Sequence, residues 1–216
     1  MIGRFMILGD SYSTFTGHIP EGYITYYTFP DGFCEGHVSR MQLDETWWKR
    51  FIKATGAELV LNDSWSGSTI CYTGYEGDCS TTSSFIFRYR QLKEHGFFEN
   101  NKLDTLFVFG GTNDSWVPAP LGEMKFDGFD ESDLVCALPA ICYLMGSLKH
   151  DLPDTRIVFI ANCDINEQIV SCMKAAALHF GVEVVELSGV EKRDSHPTPL
   201  GMEQICNQIL ESLNEI

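Results

Sequence analysis

The stretch Arg4-Phe5-Met6-Ile7-Leu8-Gly9-Asp10-Ser11-Tyr12-Ser13 sets the frame for reading the rest of the chain. Its apolar residues are consecutive over 5–8, where a half-exposed strand would alternate apolar with polar, so a strand here is covered on both faces. It stops at Gly9-Asp10, a tight turn that leaves the Ser11 hydroxyl at the strand's carboxyl end. Comparable apolar runs recur at 58–61, 105–109, 156–160 and 182–187, and helical patterns fill the intervals at 44–55, 84–95, 132–149, 167–180 and 199–213. Strand and helix alternate. That order predicts an α/β fold, a five-stranded parallel sheet between two helical layers. Asp44 stands as an N-cap, Gly56, Gly96 and Gly181 follow last helical turns, and Pro139 predicts a kink or a two-piece helix.

The 216 residues carry 15 Lys+Arg against 30 Asp+Glu, a formal charge of −15, with 44% hydrophobic residues. A single domain over 1–216 is the expectation, and a chain of this size buries roughly three quarters of its unfolded surface without disulfide or metal. The shortage of basic residues argues against nucleic acid as a partner, because that affinity comes largely from clustered Lys and Arg. Membranes are not expected either, since no basic amphipathic helix and no bilayer-length apolar run is present. The eight Cys (34, 71, 79, 136, 142, 163, 172 and 206) form no C-x-x-C pair, and several lie in apolar segments where a free thiol packs as a small hydrophobe. The apolar start at Met1 is too short for a signal peptide, which places the chain as it stands in the cytoplasm; removal of a leader would make it periplasmic or secreted.

About thirty residues, 12–43, separate the first strand from the first helix, and loops of such length are usually functional. Tyr12, Phe15, Tyr23, Tyr26, Tyr27, Phe29 and Phe33 lie there, either as a substrate wall or as a small satellite core.

Ligands of a parallel α/β sheet gather at the strands' carboxyl ends. Those ends carry Gly9-Asp10-Ser11, then Asn62-Asp63-Ser64-Trp65-Ser66-Gly67-Ser68, then Gly110-Gly111-Thr112-Asn113-Asp114, and, after the last strand, Arg193-Asp194-Ser195-His196-Pro197. A Ser hydroxyl needs a base to become a nucleophile. Among six His, His95, His150 and His179 close helices, where they satisfy terminal carbonyls, and His18 and His37 lie in the long loop. His196 is different: Pro197 stiffens its backbone and it precedes the last helix at the same end of the sheet as Ser11. Gly110-Gly111 lacks the lysine of a P-loop, so nucleotide binding is not indicated.

These four blocks, in order and spanning Gly9 to Gly201, resemble those of the SGNH hydrolases, or GDSL-type esterases. The resemblance implies a flavodoxin-like three-layer sandwich and a serine esterase, with Ser11 as nucleophile and His196 as general base and then acid. It implies an oxyanion hole from the main chain of Ser11 and Gly67 and the side-chain amide of Asn113, without metal or organic cofactor. The chain departs from the family three residues before the histidine, where Arg193 replaces the usual aspartate. Asp194, two before, is the expected orienting acid; a main-chain carbonyl, Glu191 or Asp164 are the alternatives. Tyr12, Trp65 and Trp116 flank the blocks as candidate substrate contacts. Short-chain or carbohydrate O-acyl esters suit the acidic, non-membrane character best. Acyl transfer, lipase or thioesterase action at the same site, and a non-catalytic carbohydrate-binding module on the same fold, are the alternatives.

Overall fold

The computed structural model describes residues 2–30 and 39–214, and in it the five apolar runs become strands β1 (Arg4–Gly9), β2 (Glu58–Ser64), β3 (Thr105–Gly110), β4 (Arg156–Ala161) and β5 (Glu183–Glu186). All pair in parallel, in the order β2-β1-β3-β4-β5. The chain therefore winds to one side of β1 and then to the other. Loops leaving β1 and β3 diverge at that reversal and open a crevice beyond their carboxyl ends. Ser11 follows β1 and Asn113 follows β3, so the topology alone brings two of the four blocks to one crevice.

The helices are α1 (Trp47–Thr55), α2 (Phe85–Glu94), α3 (Phe97–Asn100), α4 (Thr112–Trp116), α5 (Ala137–Asp151), α6 (Glu167–Phe180) and α7 (Pro199–Ser212). Met6, Leu8, Leu106, Val108, Ile157 and Phe159 face α2, α5 and α6. The alternate residues Phe5, Ile7, Phe107, Phe109, Val158 and Ile160 face α1 and α7. Successive strand residues thus enter opposite cores, which is why the runs are apolar without alternation. The long aromatic loop divides between the two expected roles. Tyr12, Phe15 and Tyr27 are buried with Trp47 and Trp48, whereas Tyr26 reaches the crevice. Phe33, Cys34 and His37 lie outside the described residues.

Two local expectations are corrected. Asp44 is not a cap: it lies inside a 3-10 turn, Leu43–Glu45, and Thr46 caps α1 by accepting the Lys49 N–H. Pro139 causes no kink, because it is the third residue of α5, where a missing N–H breaks no intrahelical bond. The chain breaks earlier, at Cys136, between the 3-10 turn Asp133–Val135 and α5. The seven described cysteines are free thiols, and Cys142 and Cys172 bring their sulfurs within 3.6 Å across α5 and α6. Among the described residues no helix is long and apolar enough to cross a membrane.

One buried cation ties the crevice to the sheet. Arg88 of α2 is 1% exposed, and its Nη1 pairs with Asp63 Oδ2 at 3.0 Å at the end of β2. Its Nη2 donates to the Gly9 carbonyl and the Ser68 hydroxyl, each at 3.1 Å, and its Nε donates to the Ser83 carbonyl at 2.9 Å. Removing one partner of such a pair leaves the other charged and unsolvated. Arg88→Met is expected to lower unfolding free energy by about 3 to 5 kcal/mol in a urea titration. A loss under about 1 kcal/mol would show that the pair does not hold this end of the sheet.

Candidate active site

The chain leaves β1 through a 3-10 turn, Ser11–Ser13, for which Asp10 is the N-cap, its carboxylate accepting the Tyr12 N–H at 3.0 Å. Gly9 is required by close approach: a Cβ there would stand 2.4 Å from Ser64 Oγ on the neighbouring strand. Asn62 Nδ2 donates to the Ser13 carbonyl at 2.8 Å and Trp47 Nε1 to Ser13 Oγ at 3.0 Å, so the turn is held from β2 and α1 alike. Ser11 is 2% exposed. Burial pushes the Asp10 carboxyl up to about 7, opposed by the Tyr12 N–H, the Thr112 hydroxyl and Arg88, and reinforced by Asp114.

His196 arrives on a hairpin. Lys192–Arg193 pairs antiparallel with His196–Pro197, Arg193 opposite His196, leaving Asp194 and Ser195 as a two-residue loop. Both loop residues are left-handed, with φ of 49° and 65°, the turn that matches hairpin twist. Three carbonyls of the hairpin take hydrogen bonds. Ser195 accepts the Tyr12 hydroxyl, Pro197 accepts the Tyr27 hydroxyl at 2.9 Å, and the Asp194 carbonyl lies 3.1 Å from His196 Nδ1. Lys192 Nζ anchors the hairpin to the end of β4, donating to the Cys163 carbonyl at 2.9 Å and to Asn162 Oδ1 at 3.2 Å. A carbonyl only accepts, so Nδ1 carries the proton and Nε2 turns its lone pair to Ser11 Oγ, 2.9 Å away. The Tyr26 ring stacks on the imidazole at 3.5 Å and 10°. Burial lowers the His196 pKa from 6.5; the Asp194 carbonyl opposes that shift and Lys192 adds to it.

The third block supplies Asn113, which is 2% exposed on α4. Its Nδ2 donates to the Ser68 carbonyl at 2.9 Å, which leaves its second N–H to face elsewhere. Gly67 has φ of 80°, a conformation that favours glycine. The main-chain N–H groups of Ser11 and Gly67 have no hydrogen-bond partner among the described residues. Asp114 locks the second block to the third, accepting Ile70 N–H at 2.9 Å and Cys71 N–H at 3.0 Å.

The structure therefore brings Ser11 to His196, and Gly67 and Asn113 to the same loop cluster. It corrects two other expectations. The hydrogen bond at Nδ1 is made by the main chain of Asp194 and not by its carboxylate, because the left-handed turn points the carbonyl at the ring. Neither alternative acid meets the ring: Asp164 pairs with Lys192, and Glu191 accepts the Thr198 hydroxyl. Tyr12 is fully buried, its hydroxyl spent on Ser195, so it supports the hairpin and has no surface for a ligand. Trp65 stacks on Tyr23 at 4.3 Å, whereas Trp116 is 38% exposed and 6.0 Å from the His196 ring. Tyr26 was named only as one of seven loop aromatics, and Arg88 and Lys192 were not singled out from sequence, though Arg88 lies between Phe85, Ile86 and Tyr89 on a face of α2 that the apolar pattern turns inward. A cavity of about 850 Å³ opens beside His196, lined by Tyr26, Arg40, Arg193, Asp194 and Thr198 among others. Among the described residues no group of three or more His, Cys, Asp or Glu could hold a metal ion.

The family model for GDSL-like lipase/acylhydrolase matches residues 3–213. Among solved structures, the chain is similar to one named as a GDSL-like lipase from Bacteroides uniformis, at 41% identity, TM-score 0.87, covering 99% of this chain and 96% of that one. A second, named likewise, from Bacteroides ovatus, is 34% identical, with TM-score 0.86 and full coverage of both chains. An acetyl xylan esterase from Butyrivibrio proteoclasticus shares the fold at 16% identity, TM-score 0.63, covering 99% of this chain and 64% of that one. No curated protein matches the chain.

The buried, carbonyl-bonded imidazole sets an expected titration. Burial outweighs the carbonyl, so the neutral ring persists to lower pH than in an open chain, and the His196 resonances should move with a midpoint below 6.5 when followed by NMR. A midpoint at or above 6.5 would contradict the described environment.

Proposed function

The chain belongs to the GDSL-like lipase/acylhydrolase family, a family of ester-hydrolysing hydrolases, and from that premise we propose that it is a serine esterase acting through an acyl-enzyme on Ser11. The observation that carries this reading is the 2.9 Å contact between Ser11 Oγ and His196 Nε2 in a ring whose other nitrogen is occupied. In the first half-reaction Ser11 Oγ bonds to the ester carbonyl carbon while its proton passes to Nε2. The carbonyl oxygen becomes an oxyanion, met by the N–H groups of Ser11 and Gly67 and the free N–H of Asn113. Collapse breaks the ester C–O bond, and His196 returns the proton to the leaving alcohol. Water then repeats the sequence, with His196 as base, and releases the acid and Ser11.

The space around the site favours a small acyl group on a larger alcohol. Ser11 is almost covered, whereas the 850 Å³ cavity lies beside His196, the group that protonates the leaving alcohol. Short-chain esters, including O-acyl groups on carbohydrates, fit that division. The exposed face of Trp116 is a surface on which a sugar ring can stack.

Ser11→Ala should lower turnover of p-nitrophenyl acetate by up to about a million-fold in a folded protein, as for the nucleophile of a comparable triad enzyme. Retention of most activity would end the serine reading. Asp194→Asn is expected to cost less than about tenfold, since the main-chain acceptor stays and Asn tolerates the left-handed turn. A fall of about ten-thousand-fold, the size seen when a serine protease loses its carboxylate, would instead assign the orienting role to the Asp194 side chain.

A further inference from the structure

A second hairpin reaches Asn113 and Gly67. Thr73–Gly74 pairs antiparallel with Gly77–Asp78, Gly74 opposite Gly77, so Tyr75 and Glu76 form a two-residue tip. The hairpin is anchored at its base: Thr73 Oγ1 donates to the Val135 carbonyl, and the Cys79 N–H to the Tyr72 carbonyl, each at 2.8 Å. Tyr75 is 55% exposed, yet its hydroxyl turns inward and donates to Asn113 Oδ1 at 3.2 Å. Its ring covers Gly67 as well, lying 3.8 Å from the point where a Cβ on that glycine would stand.

We propose that Tyr75 is a positioning residue of the oxyanion hole, holding the Asn113 amide through its hydroxyl and packing its ring over Gly67. This rests on the reading of Asn113 and Gly67 as oxyanion donors given above. The physical need is plain. The terminal torsion of an Asn side chain is broad, so one hydrogen bond to the Ser68 carbonyl leaves the amide plane free to swing. A second bond, at Oδ1, fixes the plane at two points and with it the direction of the remaining N–H. Reversing the amide would set two carbonyl oxygens against each other at Ser68 and leave the tyrosine's proton without an acceptor. Accepting a hydrogen bond at Oδ1 also polarises the amide and strengthens its N–H as a donor. The phenol remains a donor through the working pH range, because burial and the nearby Asp10 and Asp114 raise its pKa above 10.0.

The test is steady-state kinetics on p-nitrophenyl acetate with Ser11→Ala, Asn113→Ala, Tyr75→Phe, Tyr75→Ala and the Asn113→Ala/Tyr75→Phe double variant. Tyr75→Phe keeps the ring at an exposed hairpin tip, so thermal unfolding should be unchanged. Its kcat should fall roughly 2- to 12-fold, the factor corresponding to one hydrogen bond, at unchanged KM. Tyr75→Ala, which also uncovers Gly67, should lose more. In the Asn113→Ala background Tyr75→Phe should have no further effect, because the group it orients is gone. A raised KM at unchanged kcat would make Tyr75 a ground-state contact, and an equal loss in both backgrounds would show that it does not act through Asn113; either overturns the proposal. The control separates the two levels. With Ser11→Ala inactive and Tyr75→Phe unaltered, only the positioning role fails, whereas an active Ser11→Ala removes the serine reading and this proposal together.

Discussion

A guanidinium sealed from water beneath the turn that carries Ser11 governs how the crevice can be built. Arg88 has five donor hydrogens and no solvent to satisfy them, so each must find an acceptor inside the protein. The acceptors it takes are Gly9 at the end of β1, Asp63 at the end of β2, Ser68 in the loop that carries Gly67, and Ser83 just before α2. Gly9 and Ser68 lie one or two residues from groups placed at the site, Ser83 two before the start of α2, and Asp63 next to the end of β2. The loop bearing Gly67 is therefore fixed against the turn bearing Ser11 by one side chain that never meets a substrate. Asp114 does the complementary work from the third block, its carboxylate taking the N–H groups of Ile70 and Cys71 on the far side of the same loop.

This division explains what could be read in advance. The five strands were legible because their residues enter two cores at once, and an unbroken apolar run has few other meanings at that length. Ser11 and His196 stood out by their side chains and their place at the carboxyl end of the sheet, whereas Gly67 and Asn113 were singled out only by the resemblance of the blocks that carry them. The partner of His196 Nδ1 was not legible. A main-chain carbonyl is present at every residue, so nothing in the residue type marks Asp194 as the acceptor; only the two consecutive left-handed residues do, and Asp-Ser is not a strong signal for that turn. Arg193, which stands where the resembled family has an acid, is explained by the same hairpin. It is the strand residue opposite His196, with its side chain exposed.

Tyr12 shows the same limit from the other direction. An aromatic beside a nucleophile reads equally well as a substrate wall or as core, and the choice depends on the hairpin bearing His196, which begins about 180 residues later in the chain. Its ring packs on Phe109 at 5.6 Å and on His196 at 5.4 Å, and its hydroxyl closes on Ser195. Tyr26, fourteen residues on, lies instead on the open face of the imidazole. Alternation along the loop does not separate these roles, because the loop has no regular period to read.

The site is also electrically quiet inside a chain of formal charge −15. Burial favours the neutral form of His196 and the neutral form of Asp10, the residue next to Ser11. In the proposed mechanism an oxyanion forming at Ser11 would meet main-chain and amide dipoles in poorly hydrated surroundings, where such donors act strongly and need no reorganisation. The arrangement has a consequence for stability. The folded chain holds Asp10 protonated to about 7, whereas the free carboxyl ionises near 3.8, so the unfolded state releases that proton first. Between those values each rise in pH favours the unfolded chain by the Asp10 contribution, and above about 7 the cost is fully present. His196 works in the opposite sense: its neutral folded form opposes protonation below 6.5, so its contribution is lost as pH falls. The two groups that flank Ser11 thus limit the fold from opposite sides of the pH scale, and both limits arise from the same exclusion of water that would strengthen the proposed oxyanion donors.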